Sequence, residues 1–295
     1  MHSVSFGIPS FNEPKNVLRL INMIAHQVLP PSINVEEIII IDDSDYERYN
    51  ELINGLNHFS ALPIQVIHNS SRQGVAAAWN NIFSRSRGDV LVLYDADVFI
   101  RPETTWRLVN PLLMDNELGL VAAYVKALSN SSIAGMMSTF IADWLNEIRT
   151  SYPNSKYLAM GRGLAVRTSI VKKICIPKHV ISIDLYLQLY TLRSGYKVHF
   201  ASDAVVEFKA PSLLRESISQ VIRGYFGHKQ LKMITNKLLI NPKFAEEIFC
   251  AVKTAKHDPR GAFATIIGFI YLFFLFSKLF RGSSNYLWDV ALTSK

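Results

Sequence analysis

The sequence predicts an α/β fold in which a mainly parallel central sheet is flanked by helices. Short apolar runs alternate with amphipathic stretches through about the first two hundred residues. Several apolar runs end in acidic or polar residues, where a parallel sheet binds its ligands. Of the 295 residues, 49% are hydrophobic and 19% are charged, which excludes a disordered chain and allows a full core.

The elements follow from hydrophobic periodicity in chain order. Apolar runs predict strands at Ser3–Ile8, Val35–Ile41, Ile64–His68, Val90–Tyr94, Val121–Lys126 and Val198–Phe200. Amphipathic spacing predicts helices at Glu13–Gln27, Tyr46–Leu56, Gly74–Arg85 and Pro102–Met114, one that begins near Asp184, and two more at Ser212–Leu239 and Phe244–Lys256. There is no internal repeat or low-complexity segment.

The formal net charge of +7 is unevenly distributed. Residues 1–204 contain 18 Lys and Arg and 18 Asp and Glu, so residues 205–295 carry the whole excess. A basic segment is compatible with nucleic acid or with an anionic membrane.

A long apolar run lies within this basic segment and favours the membrane. From Ala262 to Phe276 only Thr265 and Gly268 are not hydrophobic, and the run continues to Phe280. At about 1.5 Å per residue it nearly spans a hydrocarbon core of about 30 Å. We expect a transmembrane or membrane-inserted helix at 261–281; a buried core helix is the alternative.

The two basic helices before this run admit two interpretations. Phe244, Ile248, Ala251 and Val252 share one face of the second helix, and lysines fill the other. This pattern is typical of a helix at the lipid interface, and also of one packed on a domain. The expected organisation is a catalytic domain at 1–205, interface helices at 206–260, the membrane helix and a tail at 282–295.

The two cysteines exclude other classes of protein. Cys175 and Cys250 lie far apart and match no metal-ligand spacing, which excludes a disulfide scaffold and a cysteine-built zinc site. The N-terminus has neither the charged start nor the apolar core of a signal peptide. Both observations are compatible with a reducing compartment.

Carboxylates at predicted strand ends are the candidate chemical groups. Asp42 and Asp43 follow the second strand, although such residues also occur in solvated turns and helix caps. Asp95 and Asp97 follow the fourth strand, where two carboxylates can share one hard divalent cation. Asp184 stands where a helix begins, as either a cap or a base.

In their order along the chain, these segments resemble the family 2 glycosyltransferases with the GT-A fold. The resemblance covers residues 3–230 and rests on VSFGIPSFNE, IIIIDDSD, SRQGVAAAWNNIF, RGDVLVLYDADVFIRPE, MGRGLAVRTSI and SIDLYLQLYTLRSGYKVHF. It implies that Asp95 and Asp97 bind Mg²⁺ or Mn²⁺ and that Asp184 is the catalytic base. It implies donor contacts from Pro9, Phe11, Asn12, Glu13, Asp42, Asp43, Gly74, Asn80 and Asp95. It also implies an acceptor side with Gly161, Arg162 and Gly163.

A further segment resembles the Gln-x-x-Arg-Trp motif of cellulose-synthase-like enzymes. Gln220 and Arg223 match it and are expected at the donor, unless they are merely polar positions of an interfacial helix. Gly224 replaces the Trp, and Tyr225 follows as an expected acceptor-side residue. Ile183 replaces the Glu that usually precedes the catalytic Asp, which leaves Asp184 as the base.

The resemblance implies an inverting, metal-dependent transfer of a hexose from a nucleotide sugar, with mannose from GDP-mannose favoured over glucose from UDP-glucose. Because a single apolar helix cannot build a polysaccharide channel, we expect transfer of one sugar, to a hydroxyl of a lipid-linked glycan or glycolipid. The alternatives are a polyprenyl-phosphate sugar synthase and a non-catalytic sugar-binding protein. We expect a location at the cell membrane with the catalytic domain on the cytoplasmic side, and no nucleic-acid partner.

Overall fold

The computed structural model describes residues 1–128, 130–238 and 242–279, with the backbone alone for 273–279. Its strands are β1 (His2–Ser10), β2 (Ile33–Asp42), β3 (Ile64–His68), β4 (Val90–Tyr94), β5 (Val98–Ile100), β6 (Leu118–Leu128), β7 (Gly163–Arg167) and β8 (Lys197–Lys209). Its α-helices are α1 (Pro14–Ala25), α2 (Tyr46–Leu56), α3 (Val75–Arg85), α4 (Thr104–Met114), α5 (Ile133–Ser151), α6 (Thr168–Val171), α7 (Ile183–Arg193), α8 (Leu214–Gln230), α9 (Lys232–Leu238), α10 (Phe244–His257) and α11 (Pro259–Leu279).

The eight strands form one mixed sheet in the order β3-β2-β1-β4-β7-β6-β8-β5. The first four are parallel, as predicted. β7 runs antiparallel to both β4 and β6, and β5 runs antiparallel to β8. Six of the eight strands therefore run in one direction, in line with the predicted mainly parallel sheet, and the antiparallel β5 and β7, which were not predicted, make the sheet mixed.

Helices cover both faces of the sheet and create two cores. Ile38 and Ile40 of β2 contribute to one core, while Ile39 and Ile41 contribute to the other. All four are fully buried, as expected for a strand covered on both faces. α3 packs closely over β1, since a Cβ on Gly7 would lie 2.4 Å from Ile82 Cγ2.

The basic helices pack partly on the rest of the fold. Ser217 of α8 donates its hydroxyl to the Ala134 carbonyl of α5, and Gly227 of α8 lies against Ser182, just before α7. The predicted Ser212–Leu239 helix is divided into α8 and α9. β8 runs on to Lys209, so this strand passes through the predicted boundary between residues 205 and 206.

α11 packs one face on α5. Gly261, Ala264 and Gly268 bring the two helices together, and a Cβ on Gly268 would lie 2.4 Å from Met137 Sδ. Phe263 and Ile266 of its other face are exposed.

No helix within the described ranges is both long and apolar enough to cross a membrane. The predicted membrane helix at 261–281 is therefore unsupported there. Its side chains from 273 onward, and the predicted tail at 282–295, lie outside the described residues.

Candidate active site

An open cavity of about 1660 Å³ lies beyond the carboxyl ends of β1, β2 and β4. Its remaining wall includes residues from α5, the start of α7, and α8. The predicted site residues that line it are Pro9, Phe11, Glu13, Asp43, Gly74, Asp95, Asp97, Gly161, Arg162, Asp184, Gln220, Arg223 and Tyr225. The predicted metal pair and the predicted base thus share one cavity.

Two predicted donor residues lie outside the cavity wall and brace its loops. Asp42 accepts the hydroxyl of Ser44 at 2.6 Å and contacts His68 Nδ1 at 3.1 Å. Asn12 adopts a φ of 53° and receives the Asp45 backbone N–H at 3.1 Å. The Asn12 contact joins the end of β1 to the loop after β2, and the Asp42 contact with His68 joins the ends of β2 and β3. The donor contacts predicted for both residues stay predictions.

Two further predicted residues also lie outside the wall. Asn80 exchanges two hydrogen bonds with the backbone of Ile176, at 2.8 and 2.9 Å, and so ties α3 to a distant loop. Gly163 begins β7, where a Cβ would lie 2.7 Å from Val206 Cγ2. In the structure Asn80 therefore tethers a loop and Gly163 is a close-packing position, and the ligand contacts predicted for them stay predictions.

Asp43 shapes the donor end of the cavity. Its carboxylate accepts the backbone N–H groups of Gln73 and Gly74 and the side-chain amide of Asn69, each at 2.8 Å. Gly74 has a φ of 86°, which a residue without a Cβ adopts readily. These bonds hold the loop before α3 along the cavity. At the same end, the Arg72 guanidinium lies 4.4 Å above the Phe11 ring.

Asp95 and Asp97 form an acidic turn between β4 and β5. Burial and the nearby charge of Asp97 raise the pKa of Asp95 to about 7. A divalent cation would relieve this repulsion, and carboxylate oxygens are suitable ligands for Mg²⁺ or Mn²⁺. The described residues contain no cluster of three or more His, Cys, Asp or Glu that could hold a metal. The two carboxylates of the turn fit a cation by the chemistry of their oxygens.

Arg162, predicted on the acceptor side, lies against the acidic turn. Its Nη1 atom is 3.3 Å from both carboxylate oxygens of Asp97. Its guanidinium also packs 3.7 Å from the centre of the Phe208 ring. The neighbouring Arg223 has a lowered pKa because its guanidinium is desolvated and lies near the positive charge of Arg162.

Asp184 lies in the first turn of α7. Its Oδ2 accepts the Gly161 N–H at 3.1 Å, and its Oδ1 accepts the Leu185 N–H at 2.8 Å. The helix N-terminus stabilises a carboxylate at this position. Gly161 and Arg162 are adjacent, so consecutive residues contact the predicted base and the predicted metal pair.

Two buried residues that were absent from the sequence prediction hold the loop at 155–161. Arg149 of α5 donates from Nε and Nη2 to the Leu158 carbonyl, at 3.0 and 2.6 Å. Gln188 of α7 accepts the Ala159 N–H at 3.0 Å and donates to the Ser155 carbonyl at 2.9 Å. Two polar residues within apolar helical stretches are the sequence signal that could have identified them.

A second cluster links the cavity to α10. The Tyr157 hydroxyl donates to Glu247 at 3.0 Å, and its ring centre lies 5.3 Å from that of His228. Trp144, which also lines the cavity, donates its indole N–H to the Glu247 carbonyl at 2.8 Å. Burial lowers the pKa of His228, although the charge of Asp184 acts in the opposite direction.

Known proteins resemble this chain in sequence. It is 30% identical over 123 residues to a dolichol-phosphate mannosyltransferase of Pyrococcus furiosus, covering 42% of the chain and 34% of that protein. It is 23% identical over 224 residues to the probable glycosyltransferase YdaM of Bacillus subtilis, covering 70% of the chain and 51% of that protein. The chain thus spans about a third to a half of these curated relatives.

Solved structures share the fold. The mannosyltransferase PcManGT of Pyrobaculum calidifontis, solved with GDP-Man and Mn²⁺, superposes with a TM-score of 0.64 at 17% identity. The match covers 95% of this chain and 76% of that one. TarS of S. aureus, solved with UDP, matches with a TM-score of 0.52 at 18% identity, covering 75% and 63%. At these identities the likeness demonstrates the fold alone.

The family comparison covers more than half of the chain. The family described as glycosyl transferase family 2 matches residues 5–174, which include most of β1, the acidic turn at Asp95 and Asp97, and Arg162. Asp184 and the segment from Gln220 to Arg223 lie beyond the match. With more than half of its length matched and a GT-A-like mixed sheet flanked by helices, the chain belongs to glycosyl transferase family 2.

Proposed function

We propose that this protein transfers one hexose from a nucleotide sugar to a hydroxyl of a lipid-linked glycan or glycolipid, with inversion at the anomeric carbon. The observation that carries the proposal is a pair of contacts made by adjacent residues. Gly161 donates its N–H to Asp184, the proposed base, and Arg162 pairs with Asp97, a proposed metal ligand. A base and a cation site this close suit a reaction in which an acceptor hydroxyl displaces a nucleoside diphosphate.

Asp184 acts on the acceptor. Its carboxylate removes the proton of the attacking hydroxyl, a contribution typically worth about 10²–10⁴-fold in rate. The Gly161 N–H holds Oδ2, which restricts the direction of the carboxylate. Because the preceding residue is Ile183, the proposed base works without a carboxylate directly before it in the chain. One base opposite the leaving group implies a single displacement and therefore inversion.

Asp95 and Asp97 would hold Mg²⁺ or Mn²⁺, which supplies Lewis-acid stabilisation of the departing diphosphate. Arg223 lies near Asp95, Asp97 and Asp184. Their negative charges raise its pKa, whereas desolvation lowers it. A planar guanidinium there can bind two phosphate oxygens. Phe11, Asp43 and the loop at Gly74 enclose the donor end.

The acceptor end of the cavity supports a lipid-linked acceptor. Its wall includes the apolar side chains of Ile141, Leu145, Val221 and Phe269. Outside it, Phe244, Ile248, Phe249 and Val252 of α10 are exposed, as are Phe263, Ile266 and Ile270 of α11. We propose that this apolar surface, beside Lys243, Lys253 and Lys256, rests on the cytoplasmic face of the cell membrane.

Mannose is the favoured sugar and GDP-mannose the favoured donor, with UDP-glucose next. The support is the similarity to two dolichol-phosphate mannosyltransferases, from Pyrococcus furiosus and Saccharomyces cerevisiae. The match to the Gln-x-x-Arg motif at Gln220 and Arg223 supports a cellulose-synthase-like subgroup.

A lipid phosphate is the second candidate acceptor. Arg215, Lys229 and Lys232 lie along the α8–α9 edge of the cavity, where they would attract a phosphate. A phosphate nucleophile carries no proton that a base must remove. Near-normal transfer to a lipid phosphate by Asp184→Asn, with none to a hydroxyl acceptor, would favour this reaction.

The direct test is a panel of nucleotide sugars with Mg²⁺ or Mn²⁺ in detergent, in which release of nucleoside diphosphate is measured with lipid-linked hydroxyl acceptors. We expect turnover with GDP-mannose that requires the acceptor and is lost in Asp97→Asn. Binding of a nucleotide sugar without turnover on any acceptor class would instead indicate a non-catalytic sugar-binding protein.

A further inference from the structure

Arg162 occupies the position at which a cation would neutralise Asp97. Its Nη1 atom lies at the same distance, 3.3 Å, from Oδ1 and Oδ2. Both side chains are largely sheltered, with exposed fractions of 18% for Arg162 and 17% for Asp97. An ion pair in such surroundings is screened less by salt than one at the surface.

The fold aims this arginine at the acidic turn. The Phe208 ring of β8 supports the guanidinium from one side at 3.7 Å, which is a favourable cation–π distance. The next residue, Gly163, packs so closely on Val206 and Ala123 that the backbone beside Arg162 has little room to shift. Arg162 is therefore held towards the carboxylate rather than extended into solvent.

Asp97 already has a positive partner in the cavity. Arg162 pairs with it, and the neighbouring Arg223 repels Arg162. A dication at Asp97 would compete with Arg162 for the same carboxylate oxygens, and the displaced guanidinium would lose its anionic partner. A nucleoside diphosphate that arrives with the cation supplies the negative charge that the displaced guanidinium then needs.

We propose that Arg162 is an internal counter-cation that competes with the divalent cation for Asp97 and moves to the donor diphosphate when donor and cation bind together. The inference rests on the proposed function, since it assumes that Asp97 is a metal ligand. Its consequence is thermodynamic coupling: the cation alone binds weakly, and the diphosphate strengthens its binding. By linkage, the cation strengthens diphosphate binding by the same factor.

Binding of Mn²⁺ to the full-length protein in detergent, followed by electron paramagnetic resonance with and without saturating GDP or UDP, tests this. We expect Arg162→Gln to bind Mn²⁺ alone about fivefold more tightly than the wild type. In the wild type the cation must first break an ion pair worth about 1 kcal/mol, and the variant lacks that pair. The strengthening by GDP or UDP should shrink in the variant. Arg162→Lys, which keeps a point charge, should fall between the two.

Arg101→Gln is the matched control. It removes a guanidinium that also pairs with a carboxylate, Glu207, but outside the cavity wall. It should leave the affinity for Mn²⁺ alone unchanged. Circular dichroism verifies that each variant is folded.

Two results would overturn the inference, and they differ in what they imply for the function. Equal Mn²⁺ affinities in the wild type and in folded Arg162→Gln and Arg162→Lys refute the competition but leave the proposed transfer reaction intact. No Mn²⁺ binding to any of these proteins, with or without nucleotide, refutes both the competition and the proposed metal dependence.

Discussion

The backbone N–H of Gly161 donates to Asp184 Oδ2 at 3.1 Å and thereby joins the loop at 155–161 to the first turn of α7. A Cβ on Gly161 would lie 3.8 Å from Asp184, which is an ordinary van der Waals distance. The contact therefore requires the backbone amide of residue 161 and not the absence of a side chain there. The orientation of the proposed base therefore depends on whatever holds this loop.

Replacement of Asp184 by Asn tests the base itself. We expect Asp184→Asn to reduce transfer to a hydroxyl acceptor by about 10²–10⁴-fold, because the amide cannot take the proton. Nucleotide binding, measured by calorimetry, should stay within about twofold. Asp203→Asn, at an exposed position in β8, is the control and should keep wild-type activity. Wild-type transfer by Asp184→Asn would refute the assignment.

Arg149 positions the loop through its two hydrogen bonds to the Leu158 carbonyl. We expect Arg149→Met to lower the free energy of unfolding by about 1–3 kcal/mol, since that buried carbonyl loses its donors. We also expect a lower kcat at a temperature where the variant is fully folded. Denaturant unfolding and steady-state kinetics measure the two effects. Unchanged kcat in a folded but destabilised variant would limit Arg149 to a structural role.

His228 makes stability depend on pH. Its pKa is lowered from 6.5 mainly by burial, beside Tyr157, Lys156 and Asp184. Below about pH 6.5, His228 is therefore protonated in the unfolded chain but stays neutral in the folded one. Because the unfolded chain binds the extra proton, the free energy of unfolding falls as the solution is acidified. We expect His228→Gln to show a smaller drop in Tm than the wild type between pH 7.5 and 5.5.

The control for this measurement is His199→Gln, at an exposed position in β8. Its drop in Tm should equal that of the wild type. An equal drop in His228→Gln would show that other groups cause the acid sensitivity.

Two glycines of α8 form a matched pair. A Cβ on Gly227 would lie 2.7 Å from Ser182 Oγ and 3.0 Å from its backbone nitrogen, whereas a Cβ on Gly224 meets nothing within 4 Å. Gly224→Ala should stabilise the protein by about 0.5–1 kcal/mol through helix propensity. Gly227→Ala should destabilise it by about 1–3 kcal/mol through overpacking. Thermal unfolding compares them, and a stabilised Gly227→Ala would contradict the packing of α8 on the start of α7.

Removal of apolar side chains from α10 tests the membrane surface. Phe244 and Phe249 are 77% and 68% exposed. We expect the double substitution to Ser to weaken binding to anionic vesicles by about tenfold or more in sedimentation assays, because each Phe loses its burial in lipid. Met114→Ser, at a 75% exposed position on α4, should change nothing. Unchanged vesicle binding by the double variant would place the contact elsewhere.

Much of the parallel half of the sheet, and of the acidic groups at its edge, could be predicted from the sequence. The end of β2, Ile38–Ile41, and the whole of β4 are continuous apolar runs, and the acidic groups after them mark the sheet edge where ligands bind. The predictions for Ile64–His68 and Val90–Tyr94 are confirmed to the residue. The antiparallel strands β5 and β7 were missed: β5 has only three residues, and β7 begins at a glycine and ends at an arginine.

By itself the sequence determined the family and the parallel half of the sheet, because both are properties of residue order and local period. It also predicted Asp95, Asp97 and Asp184 as site residues, and the three line one cavity. Tertiary structure alone decided that Asp42 and Asn80 brace loops, that Arg162 faces Asp97, and that Arg149 holds the loop beside Asp184. The physical reason is distance along the chain. A hydrogen bond or ion pair between residues tens of positions apart depends on packing directions that no local pattern encodes.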